Sequence, residues 1–239
     1  MRLLLSGEGP TDLGKCIYPQ SDRCRGRDFA PGPMARILDL LVREETGRSF
    51  LDDGEVEYVS EGALRDMSKR ERRMVLSGLK GIQGTGFYRK NAFVLGTHAC
   101  EVMNDSGCPV VAVLFRDSDG THAVGGREWK PKFDSIAQGF LRAGFRFGVP
   151  MVPKPKSESW LLCAVEKDYQ GCAVLEDLSG NDASPKSAKK RLAGILGEEP
   201  TAETQAGLIR DGEVDPARID MPSYNAFRDA LHDALRKCR

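Results

Sequence analysis

Residues 109–115 (PVVAVLF) form the most constraining feature of this sequence, a short apolar run rich in β-branched side chains. Such a run suits a strand buried on both faces, which occurs chiefly in parallel sheets covered by helices. Residues 3–5 (LLL) form a second run of this kind, closed by Ser6 and Gly7. The two runs predict neighbouring strands at the centre of a parallel sheet.

The segments around these two runs alternate between strand and helix patterns. The predicted strands are 3–5, 55–60, 109–115 and 145–152, and the predicted helices are 33–45, 92–103, 132–144 and 157–165. The strand 55–60 alternates apolar and polar residues, which predicts that it is half exposed. This alternation implies right-handed crossovers, so the predicted fold class is α/β, with a mostly parallel central sheet flanked by helices.

The remaining segments define the expected domain organisation. Residues 13–32 show no period and predict a long loop beside the end of the first strand. Residues 61–91 carry eight basic and three acidic side chains, and we interpret them as a basic insertion. Helical patterns resume after Tyr169. We therefore expect an α/β domain over 1–168 and a helical C-terminal appendage over 169–239.

Composition excludes few partners but does indicate a compartment. The 35 basic residues cancel the 35 acidic ones, so any recognition patch must be local. Seven cysteines without a C-x-x-C pair argue against a disulfide framework or a standard zinc site, and reduced thiols are expected. A zinc site from His98, Cys100 and Cys108 fits no usual template. Without a secretory signal or a membrane-length apolar stretch, we expect a cytoplasmic protein with no membrane contact.

Two acidic pairs follow the two apolar runs. Glu8 and Asp12 lie in EGPTD after the first run, and Asp117 and Asp119 lie in DSDG after the second. Ligands of open α/β sheets bind at the carboxyl ends of the strands. Unpaired like charges there need a cation, and carboxylate oxygens suit Mg²⁺ or Mn²⁺. A second interpretation stays open, because Asp and Gly are also ordinary turn residues.

The two motifs together, Glu8-Gly9-Pro10-Thr11-Asp12 and Asp117-Ser118-Asp119-Gly120, resemble those of the TOPRIM fold of topoisomerases, primases and overcoming-lysogenization-defect (OLD) nucleases. The strings at 153–162 (PKPKSESWLL), 179–182 (SGND) and 222–224 (PSY) are similar to a family of uncharacterised bacterial TOPRIM-like proteins, several associated with phage defence. The resemblance spans most of the chain. It implies a TOPRIM-like Rossmannoid fold.

The resemblance also implies roles for individual residues. Glu8 corresponds to the conserved glutamate, which acts as a general acid/base or in metal binding, and Asp117 and Asp119 correspond to the Mg²⁺ ligands. Asp12 accompanies Glu8, and Glu158 would be a fourth acidic contributor. The spacing from Glu8 to Asp117 is long for the family, and no tyrosine nucleophile can be assigned. Strand passage is therefore not expected, and a nuclease is.

Basic residues complete the expected site. Lys154 or Lys156 would pair with the phosphate or the leaving group of a cleaved strand. In the basic segment, a ring of Phe87 or Tyr88 would stack on a base. The side chains expected to contact the phosphate backbone are Arg70, Arg72, Arg73, Arg89 and Lys90, with Lys154. A solvated helix and loop is the competing interpretation of this segment.

Three functions are compatible with these residues. The first is a Mg²⁺-dependent nuclease of DNA or RNA, an effector in anti-phage defence. The second is a non-catalytic TOPRIM-like module that acts through a partner such as an ATPase of a defence system. The third is a toxin-like effector that cuts tRNA by the same metal chemistry. A homo-oligomer is compatible with each of them.

Overall fold

The computed structural model of the protein describes residues 1–75, 85–118, 129–166, 171–199 and 201–238, with the side chains of 70–75 left aside. The strands are β1 (Arg2–Gly7), β2 (Gly14–Cys16), β3 (Arg23–Arg25), β4 (Phe29–Pro31), β5 (Val56–Ser60), β6 (Val110–Phe115) and β7 (Gly148–Met151). The α-helices are α1 (Pro33–Thr46), α2 (Glu61–Val75), α3 (Gly86–Ser106), α4 (Trp129–Arg142), α5 (Ser157–Val165), α6 (Ala188–Leu196), α7 (Ala202–Arg210) and α8 (Pro222–Lys237). None of the helices in these ranges is long and apolar enough to cross a membrane.

The α/β class and the mostly parallel central sheet are confirmed. The main sheet has the order β3-β5-β1-β6-β7, in which β5, β1, β6 and β7 run parallel and β3 pairs antiparallel at one edge. The chain leaves β1 for β5 on one side and then returns past β1 to β6 on the other. The direction of winding therefore reverses between β1 and β6, and a ligand crevice is expected at the carboxyl ends of these two strands.

Two hydrophobic cores cover the two faces of the sheet. Leu3 and Leu5 of β1 point into one core, with α1, α5 and α8, whereas Leu4 points into the other, with α3 and α4. The C-terminal helices belong to the first core, since the ring of Trp160 in α5 stacks on Phe227 of α8 at 5.6 Å between centroids. The C-terminal segment contains α6, α7 and α8, and its side chains share the core of the sheet.

Strand β5 departs from the sequence expectation of half exposure. Val56, Glu57, Tyr58 and Val59 are all buried, because both faces of the sheet are covered by helices. Glu57 is accommodated by polar partners: its carboxylate lies 3.2 Å from Nε2 of His98 and 2.7 Å from the guanidinium of Arg25. An alternating pattern therefore does not mark an exposed face here.

The predicted loop 13–32 and the cysteines also depart from expectation. The loop contains the short strands β2, β3 and β4, which bring Cys16 and Cys24 together in a disulfide with 5.7 Å between the Cα atoms. A second disulfide joins Cys163 to Cys172. The expectation of reduced thiols is wrong for these four residues, because the folded chain brings together cysteines whose spacing matches no motif.

The basic segment 61–91 contributes directly to the fold. Helix α2 begins at its first residue, and Ala63 and Leu64 are buried in the second core. Helix α3 begins at Gly86, earlier than the sequence pattern indicated. The described part of this segment therefore includes crossover helices between β5 and β6.

Helices α3 and α4 approach each other closely at Gly139, which generates a prediction about stability. A Cβ atom at Gly139 would collide with the carbonyl oxygen of Arg89 and come within 2.7 Å of the Cβ atom of Ala92, whereas one at Gly194 in α6 would meet nothing within 4 Å. Replacing an exposed helical glycine by alanine stabilises a helix, so Gly194→Ala should raise the free energy of unfolding by about 0.5–1 kcal/mol. Gly139→Ala should lower it by about 1–3 kcal/mol through overpacking.

Urea unfolding followed by circular dichroism measures both variants against the wild-type protein. The two substitutions make the same chemical change in a helix, so their difference isolates the helix contact. Equal stabilisation by both would show that α3 and α4 do not touch at Gly139.

Candidate functional site

The two acidic motifs meet at the crevice between β1 and β6. Gly7 of β1 pairs in register with Phe115 of β6, so the residues that follow the two strands are neighbours. The carboxylate of Glu8 accepts a hydrogen bond from the backbone N–H of Asp117 at 2.9 Å and another from Nη1 of Arg116 at 3.2 Å. Glu8 is thereby held against the second motif.

Asp117 is positioned by the amino terminus of α5. Its Oδ1 atom accepts a hydrogen bond from the backbone N–H of Ser157, the first residue of that helix, at 3.1 Å. The unpaired N–H groups and the positive end of the helix dipole favour a carboxylate at this place. The junction between β7 and α5 thus joins the ends of β1 and β6 in forming the site.

The hydroxyl of Ser157 brings in two more carboxylates. It donates a hydrogen bond to Oδ1 of Asp12 and lies 3.5 Å from Oε2 of Glu158. Asp12 also accepts a hydrogen bond from the hydroxyl of Thr11 at 3.1 Å. Ser157 therefore contacts three acidic residues, one through its backbone and two through its side chain.

Two lysines near the acidic residues have carboxylate partners from the 171–199 segment. The ammonium group of Lys156 lies 2.8 Å from Oδ1 of Asp182. That of Lys154 lies 3.5 Å from Asp177 and 3.8 Å from Glu176. A phosphate that bound either lysine would have to compete with these carboxylates.

The site holds excess negative charge in a partly buried place. Burial raises the pKa of Glu8, although the charge of Arg116 opposes the shift. Burial also raises the pKa of Asp12 against the hydrogen bond from Ser157. Burial raises the pKa of Glu158 as well, and the neighbouring charge of Asp12 adds to it. A cation bound among these groups would relieve both the desolvation and the repulsion.

The donor set fits a hard divalent cation in its chemistry. Glu8, Asp117, Asp12 and Glu158 offer carboxylate oxygens, the ligands that Mg²⁺ takes in proteins. Within the described ranges, no three His, Cys, Asp or Glu side chains are already grouped as a metal cage. Asp119, the second acid of the D-x-D motif, lies outside the described residues. A Mg²⁺ ion held by only one or two of these carboxylates would need waters or a substrate phosphate to complete its coordination.

The residues expected to bind nucleic acid differ in their exposure, and some of their side chains are not described. The side chains of Arg70, Arg72 and Arg73 lie outside the described part of the chain, although α2 carries all three. Arg89 and Lys90 lie half-buried near the start of α3. Tyr88 is only 5% exposed and packs in the second core, so it has no free face for a base. Phe87 is 50% exposed and has a face open to a base.

Sequence reasoning missed Arg116, Glu61 and the bridging role of Ser157. Arg116 directly follows an apolar strand, yet its side chain is only 1% exposed and its Nη1 atom also lies 3.2 Å from Oε1 of Glu61. A charged residue directly after a buried strand was an available signal. The partners of Ser157 come from segments far apart in the chain and left no such signal.

No protein family, curated protein or solved structure matches the chain. The similarity to TOPRIM proteins therefore remains an expectation from the motifs around Glu8 and Asp117. What the site can do must be argued from its own geometry.

The raised pKa of Glu158 generates a prediction about stability and pH. A carboxyl group whose pKa is higher in the folded state than its ordinary value of 4.5 favours folding at low pH, and this contribution is lost as the pH rises through the folded-state pKa. Glu158→Gln should therefore raise the free energy of unfolding near neutral pH, by roughly 1 kcal/mol, and this gain should vanish below about pH 4. Urea unfolding in EDTA at several pH values measures the difference.

Asp233→Asn on the exposed surface of α8 is the matched control. The hydrogen bond from Lys237 lowers the pKa of Asp233, so this substitution should remove stability near neutral pH and change nothing at low pH. If Glu158→Gln behaves like Asp233→Asn, then Glu158 is not desolvated as described.

Proposed function

We propose that this protein is a TOPRIM-like nuclease, a phosphodiesterase that cleaves nucleic acid with the help of Mg²⁺ or Mn²⁺. The observation that carries the proposal is the gathering of Glu8, Asp117, Asp12 and Glu158 at the reversal point of a parallel sheet. Packing alone does not call for four acids at one place, because each is costly to bury without a positive partner.

Each acidic residue has a task in such a reaction. Glu8 and Asp117, held by hydrogen bonds to the chain, would bind the metal, with Asp12 beside them. The metal would neutralise charge on the scissile phosphate and lower the pKa of a bound water. Glu158, whose pKa is raised by burial, is suited to accept the proton that the attacking water loses. Lys156, close to Asp12 and Glu158, would face the charge that develops on the leaving oxygen.

A specific observation also favours a non-catalytic module that works through a protein partner, such as an ATPase of a phage-defence system. Both oxygens of Glu8 already accept hydrogen bonds, one from Arg116 and one from the backbone of Asp117. A glutamate used in this way can stabilise the crevice without binding metal. The following experiment separates the two functions.

Purified protein is incubated with Mg²⁺ or Mn²⁺ and with single-stranded and double-stranded DNA and RNA. The nuclease proposal expects metal-dependent cleavage that EDTA abolishes. Asp117→Asn and Glu8→Gln remove metal-binding charge and should lower the cleavage rate by about 100-fold or more.

Asp233→Asn is again the matched control, since it also removes one carboxylate charge. Asp233 lies on α8. The end of α8 contacts the beginning of β6 through Cys238, at the amino ends of the strands, whereas the site lies at their carboxyl ends. The cleavage rate of Asp233→Asn should equal that of the wild-type protein. Cleavage that persists in Asp117→Asn would refute the metal assignment, and a wild-type protein that cleaves none of the substrates would favour the partner-dependent module.

A further inference from the structure

Arg116 is the most deeply buried charge of the site. Its side chain is 1% exposed, and among the described residues its Nη1 atom alone of the three nitrogens has partners, which are the carboxylates of Glu8 and Glu61 at 3.2 Å each. Lysine could form the same two ion pairs through a single ammonium group. The guanidinium therefore offers more donors than its two carboxylate partners use.

The other two nitrogens, Nε and Nη2, are buried and have no hydrogen-bond partner among the described residues. Buried N–H donors without an acceptor are uncommon, because each loses its hydrogen bonds to water. In a guanidinium group, the Nε–H and one Nη2–H point the same way and form a two-pronged edge. That edge matches two oxygens of a phosphate or carboxylate.

Phe87 lies against this guanidinium at the mouth of the site. Its ring centroid is 5.0 Å from the Cζ atom of Arg116, while half of the side chain remains open to solvent. The negative face of an aromatic ring attracts a guanidinium, so Phe87 is a further contact of Arg116 that is itself half open to solvent.

We propose that Arg116 is the phosphate-binding residue of the site, with its Nε and Nη2 atoms donating to two non-bridging oxygens of a nucleic-acid phosphate. This inference rests on the proposed action on nucleic acid and adds the group that positions the phosphate. Phe87 keeps its contact with the guanidinium, and Glu8 keeps its contact with Nη1.

Glu61 modulates this binding. Its side chain is 45% exposed and shares Nη1 of Arg116 with Glu8, so its negative charge offsets part of the positive charge that the guanidinium offers to a further anion. Removal of that charge should favour an incoming anion. The inference thus predicts opposite effects for changes at Arg116 and at Glu61.

The test measures binding without cleavage. Fluorescence anisotropy of a labelled ten-nucleotide single strand, DNA or RNA, is recorded in Ca²⁺, which replaces the catalytic metal. Arg116→Lys keeps the charge but loses the two-pronged edge, and it should weaken binding by about 10-fold. Glu61→Gln should tighten binding by about 3-fold through the loss of repulsion.

Matched controls lie at the amino ends of the strands, opposite the carboxyl ends that carry the site. Arg2 and Glu55 form an ion pair 3.4 Å long at the start of β1. Arg2→Lys and Glu55→Gln make the same chemical changes there and should leave binding within about 2-fold of the wild type, since the length of β1 from Arg2 to Gly7, at about 3.3 Å per residue, exceeds a Debye length. Equal effects at the two ends of the strands, or no binding by the wild type, would overturn the inference.

Other outcomes separate this inference from the proposed function. Binding that follows the expected pattern in a protein that never cleaves supports Arg116 and refutes the nuclease. Cleavage by the wild-type protein, together with unchanged binding in Arg116→Lys, supports the nuclease and refutes the proposed role of Arg116. If Arg116→Lys fails to fold, the comparison of Glu61→Gln with Glu55→Gln decides by itself. A rise in melting temperature with inorganic phosphate alone, without oligonucleotide binding, overturns the nucleic-acid assignment.

Discussion

The parallel pairing of β1 with β6 is the constraint on which the rest of this structure depends. Parallel strands need crossover connections, and these cover both faces of the sheet with helices, so the buried positions of both strands are mostly apolar. The same pairing places the carboxyl ends of the two strands side by side, and the winding reverses between them. The pairing of the two strands therefore suffices to bring Glu8 close to Asp117.

The site reflects a balance between burial and charge. Arg116 and the amino terminus of α5 supply positive partners for Glu8 and Asp117, whereas Lys156, the lysine near Asp12 and Glu158, also pairs with Asp182. A partly buried cluster that remains negative is stabilised by protons, by a metal ion or by a positive partner. The proposed metal chemistry uses this imbalance, and Arg116 provides the only two-pronged donor edge that the described residues leave buried and unused beside it.

Local patterns predicted strands and helices well where the spacing of apolar residues alone decides the structure. The apolar runs at β1 and β6 and the periodic face of α1 are strong signals, and the structure has each element near its expected bounds. Strand β5 was misjudged because its alternating residues are covered on both faces and Glu57 is buried beside His98 and Arg25. The two disulfides escaped prediction because proximity in the fold, not spacing in the chain, brings the cysteines together.

The α/β class, the central strands and the position of the acidic residues at strand ends could be predicted from the amino-acid sequence, because they follow from hydrophobicity and turn chemistry over a few neighbouring residues. Which groups meet in the site depends on the tertiary structure. Ser157 joins Asp12 to Asp117 across 145 and 40 positions of the chain, and Arg116 reaches Glu8 across 108. Hydrogen bonds between such distant segments depend on how the strands and helices pack, and no local pattern encodes that.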